Sequence, residues 1–245
     1  MSARITAATA FRVLQQLRRD PRTVALVFVV PPLLITLFRF VFDSRPDVFD
    51  RVGGPMVGIF PFTLMFVVSS IAMLRERTTG TLERLMTMPL AKLDLLLGYA
   101  IAFALMAVLQ STVVSLLAFG ALDLHVRGSH FAVVALAVGN ATLGMALGLF
   151  ASAFARTEFQ AVQFMPAIVF PQVILSGLFV PRSQMAHWLR LISDVFPLTY
   201  AYDALARVTQ GHDLGGRFVL DLCVTVGATL LALGLGAATL RRRTG

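Results

Sequence analysis

VGGPMVGIFPFTLMFVVSSIAML, residues 52–74, runs without a charge into RERTTGTLERLMTMPL, residues 75–90. Twenty-three uncharged, mostly apolar residues are enough to cross a bilayer core, which needs roughly 20. Five charges then fall within ten residues, Arg75 to Arg84, in a chain that is only 14 % charged. A connector between two membrane helices needs no such density. The segment reads as a surface built to touch something.

Working outward, further charge-free windows cover 95–122, 131–155, 159–181 and 222–240, and a shorter one, 23–38, continues past Arg39 to Phe42. The chain is 57 % hydrophobic with a mean hydropathy of +0.80. That is too apolar for an ordinary soluble domain. A soluble helical bundle would show polar faces at helical spacing, and these windows are apolar all round. The expectation is a single all-α integral membrane domain over 1–245. Its parts are an interfacial helix at 1–22 and spans at 23–42, 55–74, 95–121, 131–154, 160–180 and 219–240, with an external loop over 43–54.

Six spans put both termini on one face. That face and its loops hold thirteen arginines and lysines against seven on the other. Basic residues gather on the cytoplasmic side, so the termini and residues 75–94 are expected there. The net charge of +8 therefore follows topology, and nucleic-acid binding is not expected. The first 22 residues carry five arginines and no cleavable apolar core, so the first span is expected to be an uncleaved anchor. The lone Cys223 excludes an internal disulfide.

Ile5, Ala8, Leu14 and Leu17 alternate with arginines at helical spacing, which predicts a basic amphipathic helix in the interface. Asp20-Pro21 ends it. Pro31-Pro32 should kink span 1, and Arg39 reads as an interfacial anchor or a substrate contact. Gly144, Gly148 and Ser152 allow close helix approach, within one subunit or between two. Pro166 and Pro171 predict a broken or bent span 5. The segment 181–216 carries Trp188, Pro197, Tyr200 and Tyr202, residues suited to an interface. It reads as a helical hairpin re-entering the outer leaflet or as a surface loop packed on the bundle.

Catalytic patterns are absent from the sequence. There is no GxxxxGK[ST] loop, and the one lysine, Lys92, follows an alanine. There is no His-Glu-x-x-His and no Gly-x-Ser-x-Gly. The histidines show no metal-ligand spacing. No Asp or Glu lies near the middle of a span, where a proton-coupled carrier usually keeps one. The chain is expected to be neither an enzyme nor a holder of a cofactor or metal.

Three stretches together resemble the membrane subunits of type-2 ABC exporters. Arg75-Glu76-Arg77 through Gly80-Thr81-Leu82-Glu83-Arg84-Leu85, with Pro89 beyond, is similar to that family's cytoplasmic motif between spans 2 and 3. Phe170-Pro171 through Leu175-Ser176-Gly177 to Pro181 is similar to its run closing span 5. Phe196-Pro197-Leu198-Thr199-Tyr200 to Arg207 is similar to its element before span 6, although Ala206 intervenes where a tighter ending is often seen. The resemblance implies a permease that pairs with a second copy or paralogue in a bacterial plasma membrane, above two separate ATPase subunits that bind Mg-ATP. Residues 75–90 would be the coupling helix, started by Thr79 or Gly80, with Arg75, Glu76, Arg77, Gly80, Thr81, Glu83, Arg84 and Pro89 meeting the ATPase. Phe60, Phe62, Met65, Phe66, Phe164, Met165 and Phe170 offer adaptable apolar surface, and with Gln172 and Ser176 they are the pathway candidates. The same residues suit a lipid face or a core. A drug-like or lipid substrate is favoured over a lipid-linked polysaccharide, and an autonomous carrier or channel is the rival function.

Overall fold

A computed structural model of the chain describes residues 3–81, 92–212 and 214–239. The described residues are helical with no strand, and six helices are long and apolar enough to cross a membrane. Helix α1 spans Ala3–Arg18 and buries Val13 and Leu17, with Arg4 and Arg18 exposed. Pro21 opens α2, Pro21–Val41, at a first-turn position where its missing N–H costs nothing. Asp20 caps α2: its carboxylate accepts from the Thr23 amide at 3.2 Å and the Thr23 hydroxyl at 2.8 Å. Pro31 and Pro32 lie inside this helix, which continues through them.

The expected loop at 43–54 is largely helix. Helix α3 begins at Pro46 and runs to Thr78, 33 residues or about 50 Å, well beyond a bilayer core of about 30 Å. Gly53-Gly54-Pro55, at the expected boundary between loop and span, lies inside the helix. In the fold these glycines serve close approach, because a Cβ on Gly54 would stand 2.0 Å from the Thr209 hydroxyl oxygen. Gly80, at φ +73°, lies just beyond the C-cap of α3, a left-handed position that closes a helix; Thr81 after it is helical again, and the rest of the expected coupling helix lies outside the described residues.

Helix α4 covers Lys92–Gly120 and α5 His130–Ala151. Gly144 and Gly148 face α3 so closely that a Cβ would sit 2.1 Å and 2.2 Å from the carbonyl oxygens of Phe62 and Phe66. The Ser69 hydroxyl seals the same seam by donating to the Met145 carbonyl at 3.0 Å. The small-residue row thus packs two spans of one subunit, as lipid-embedded helices pack by surface fit where no hydrophobic drive separates them from lipid.

The α-helix of span 5 is interrupted by a π turn that contains Pro166. The span comprises α6, Glu158–Phe164, a π turn at Met165–Val169, and α7, Phe170–Leu175. The wide turn takes in the proline that cannot donate, and the Gln172 side-chain amide donates to the Ile168 carbonyl at 3.0 Å. Beyond a short 3₁₀ turn at Arg182–Gln184 come α8, His187–Ser193, and α9, Pro197–Gln210, joined by a tight corner. Helix α9 buries Leu198, Leu205 and Val208 against the bundle, and α10, Gly216–Ala238, is the last span.

Candidate functional site

Successive residues on a helix are 100° apart, so Arg75, Glu76 and Arg77 at the end of α3 point three ways. Each finds a different element. The Arg75 guanidinium makes a two-pronged pair with Glu158 at the start of α6, donating at 2.7 Å and 3.1 Å, and stands 3.5 Å from Asp20. Glu76 turns inward and is 7 % exposed. Its Oε1 accepts from the Gln16 amide at 3.1 Å and lies 3.5 Å from Arg12 of α1. Arg12 in turn donates to the Tyr99 hydroxyl of α4 at 2.6 Å. Arg77 donates to the Thr239 hydroxyl, at the end of α10, at 3.1 Å. Three consecutive residues therefore gather α1, the α1–α2 corner, α4, span 5 and span 6 around the end of span 2. These contacts place α1 and the end of α10 on one face of the bundle. Thr23 lowers the Asp20 carboxyl below its ordinary value through both hydrogen bonds, and Arg75 adds to the effect.

Gly80 and Thr81 follow directly, with the Thr79 and Thr81 hydroxyls 3.0 Å apart. Glu83, Arg84 and Pro89, named with them as ATPase contacts, lie outside the described residues.

The opposite face carries a second charged assembly that the sequence reading missed. Arg182 pairs with Asp194 and, at 3.4 Å, with Asp203. Arg217 reaches Asp203 at 3.7 Å and Asp221 at 3.4 Å, and Arg207 stands 3.6 Å from Asp221. Three acids and three bases form one alternating chain, with Asp221 completely buried in it. The Tyr200 hydroxyl donates to the Asp194 carbonyl at 2.8 Å, and the Arg217 guanidinium lies over the Tyr200 ring. Burial holds the Asp203 carboxyl above its ordinary value despite the arginines around it, and burial raises Tyr202 as well. The cluster ties α8 and α9 to the first turns of α10. Trp188 stays exposed, while Pro197 and Tyr202 are half-buried. One signal was available in the sequence: Arg217 and Asp221 stand four apart, a helical pair at the edge of the last apolar window.

The pathway candidates separate by burial. Phe62, Met65 and Phe66 are fully buried within the subunit, as is Ser176, which donates to the Val173 carbonyl. Gln172 is buried against its own helix. Phe60, Phe164 and Met165 are half-buried and Phe170 is exposed. Phe62 and Phe66 share one buried cluster, against which Phe60, Phe164 and Met165 pack.

The ABC-2 type transporter family matches residues 5–209. The chain is 27 % identical to the "Probable multidrug ABC transporter permease YbhR" of Escherichia coli over 148 residues, 59 % of this chain and 39 % of that protein. It is 24 % identical to E. coli YbhS, described in the same words, over 216 residues, 86 % of this chain and 56 % of that one. "ABC transporter G family member 20" of Dictyostelium discoideum is 27 % identical over 156 residues, 64 % of this chain and 21 % of that protein. The chain thus spans well under two thirds of these relatives. Matching 205 of its 245 residues, and folding as six apolar helices with no strand among the described residues, the chain belongs to the ABC-2 type transporter family as a membrane domain.

Proposed function

We propose that this chain is the transmembrane subunit of an ATP-driven exporter that moves a hydrophobic or amphiphilic molecule, drug-like or lipid, out of the cytoplasm or inner leaflet. It works with a second copy or paralogue and with a separate ATPase that binds Mg-ATP. The face carrying α1 and the end of α10 is cytoplasmic, in a bacterial inner membrane, and the segment around 75–90 is the contact with the ATPase. Two E. coli relatives are described as multidrug permeases, and a third, 28 % identical, as "Inner membrane transport permease YhhJ".

The observation that carries this reading is the triple tether at the end of α3. Arg75, Glu76 and Arg77 join span 5, α1 and the end of span 6 shortly before residues 82–91. A force applied to that segment reaches spans 5 and 6 and the interfacial helix through short polar contacts. Carrier chemistry has less support, since Asp221, buried near the start of the last span, is matched by two arginines.

The test is co-purification with an ABC ATPase subunit, followed by measurement of stimulated hydrolysis. The expected result is a complex that hydrolyses ATP, while the purified chain alone does not. Glu83→Lys should lower ATPase recovery several-fold at normal expression. Transport by the chain alone in vesicles, without any ATPase, would overturn the proposal.

A further inference from the structure

On the face opposite the Arg75 tether, spans 5 and 6 do not pack closely on each other; α7 and α10 each pack against α9 instead. Helix α9 is anchored independently of them. Its Leu198, Leu205 and Val208 join the apolar core. It lies so close to α3 that a Cβ on Gly54 would stand 2.0 Å from Thr209 Oγ1, and one on Gly58 would stand 2.4 Å from Leu205 Cδ1. A helix seated by close packing over that length does not depend on any one charge.

A single carboxylate oxygen gathers the two span ends onto this helix. Asp203 Oδ2 accepts from Arg182 Nη1, just beyond span 5, at 3.4 Å, and stands 3.7 Å from Arg217 Nη2 in the first turn of span 6. Among the described residues no other acid of the cluster reaches both ends. Asp194 pairs with Arg182, and Asp221 with Arg207 and Arg217. The Asp221 pairs are the weaker hold, because neither its oxygens nor Arg207 Nε makes a hydrogen bond. Next to this junction Ser176 is completely buried. Its neighbour Gly177 lies against α9, where a Cβ would stand 3.2 Å from the Tyr202 ring. Parting the end of span 5 from α9 would therefore uncover Ser176.

We propose that Asp203 is the catch of a gate at this face. Its one oxygen holds the ends of spans 5 and 6 to a fixed strap, α9, and the two ends release together when it lets go. An acid shared by two cations couples their release, whereas Asp194 and Asp221 each secure one end. Asp203 is a positioning residue in this role. The proposal rests on the reading of the chain as a transporter. Its test needs neither substrate nor ATPase, so it can fail while that reading stands.

The purified chain in nanodiscs is followed by amide hydrogen exchange. The amides of Gln184 and Met185, bonded to Pro181 O and Arg182 O, report the end of span 5. Those of Phe218 and Val219, bonded to Gly215 O, report the start of span 6. Asp203→Asn should speed exchange at both by about tenfold, as a charge-assisted contact gives way to a neutral one. The amides of Leu205 and Val208 and the melting temperature should stay near wild type. Asp194→Asn should loosen the span 5 reporters alone, and Asp203→Glu should keep both ends closed. In a Cys223→Ser background, Ser176→Cys should react with a water-soluble thiol reagent about tenfold faster when Asp203→Asn is added. Loosening of only one end in Asp203→Asn, equal loosening of α9 itself, loosening of span 6 by Asp194→Asn, or unchanged labelling of Ser176→Cys would each overturn the assignment.

Discussion

At the scale of single residues, position along the helix decides what a charge does. Arg75 and Glu158 are each about half exposed, so their pair contributes about 0–1 kcal/mol to stability. Their value under the proposed mechanism lies in transmission. Arg75→Glu alone should leave expression and melting temperature nearly unchanged and reduce ATP-driven transport severalfold, and adding Glu158→Arg should restore most of the loss. A transport assay in inverted vesicles reads the difference. Asp20 behaves differently because it caps a helix. Its carboxyl titrates below the unfolded value in the fold, so its stabilisation is complete above about pH 4 and is lost as pH falls through the lowered folded value. Asp20→Ala should cost about 1 kcal/mol at neutral pH and progressively less in acid. Hydrogen exchange of the first α2 amides tests both statements.

The elements were legible in the sequence wherever composition alone decided them. Charge-free windows marked the spans, and Pro166 with Pro171 marked the bend that became a π turn. What escaped was information held by distant partners. Nothing local to Glu76 says that Arg12 and Gln16 will enclose it, or that Arg77 will end on Thr239, 162 residues away. Residues 43–54 read as a loop because the sequence does not reveal that Thr209 will lie against Gly54. The burial of Asp221 was not legible because its arginine partners come from α9 as well as its own helix. The α3–α5 seam gives a prediction at this scale. Gly148→Val places atoms where Phe66 O and Ser69 Oγ already stand, each within 2.3 Å of the new Cβ. The two spans must part, at a cost of about 1–3 kcal/mol or more, seen as a smaller monodisperse peak in detergent gel filtration. Gly139 has open space around its Cβ, so Gly139→Ala should be neutral.

For the whole molecule the two charged assemblies mark opposite ends of the bundle, one gathered at the end of α3 and one around the start of α10. Their separation gives a topology test. Single cysteines at the exposed positions Thr78 and Gln184, in a Cys223→Ser background, should react with an impermeant thiol reagent from opposite sides, with Gln184→Cys alone labelled in intact cells. Equal labelling of both from outside would refute six crossings. Cys223 must be removed first because it is exposed within the last span.

Span 5 has different attachments at its two ends. Glu158 fastens its lower end to Arg75, while the Arg182 just beyond its upper end is clamped by Asp194 and Asp203. Between them the π turn at Met165–Val169 replaces ordinary helical hydrogen bonding with a looser register. A rod held at both ends would carry any tilt from one face to the other. Under the proposed function a jointed one lets the segment nearest Glu158 move while the cluster around Arg182 holds its place, with Pro166 at the joint.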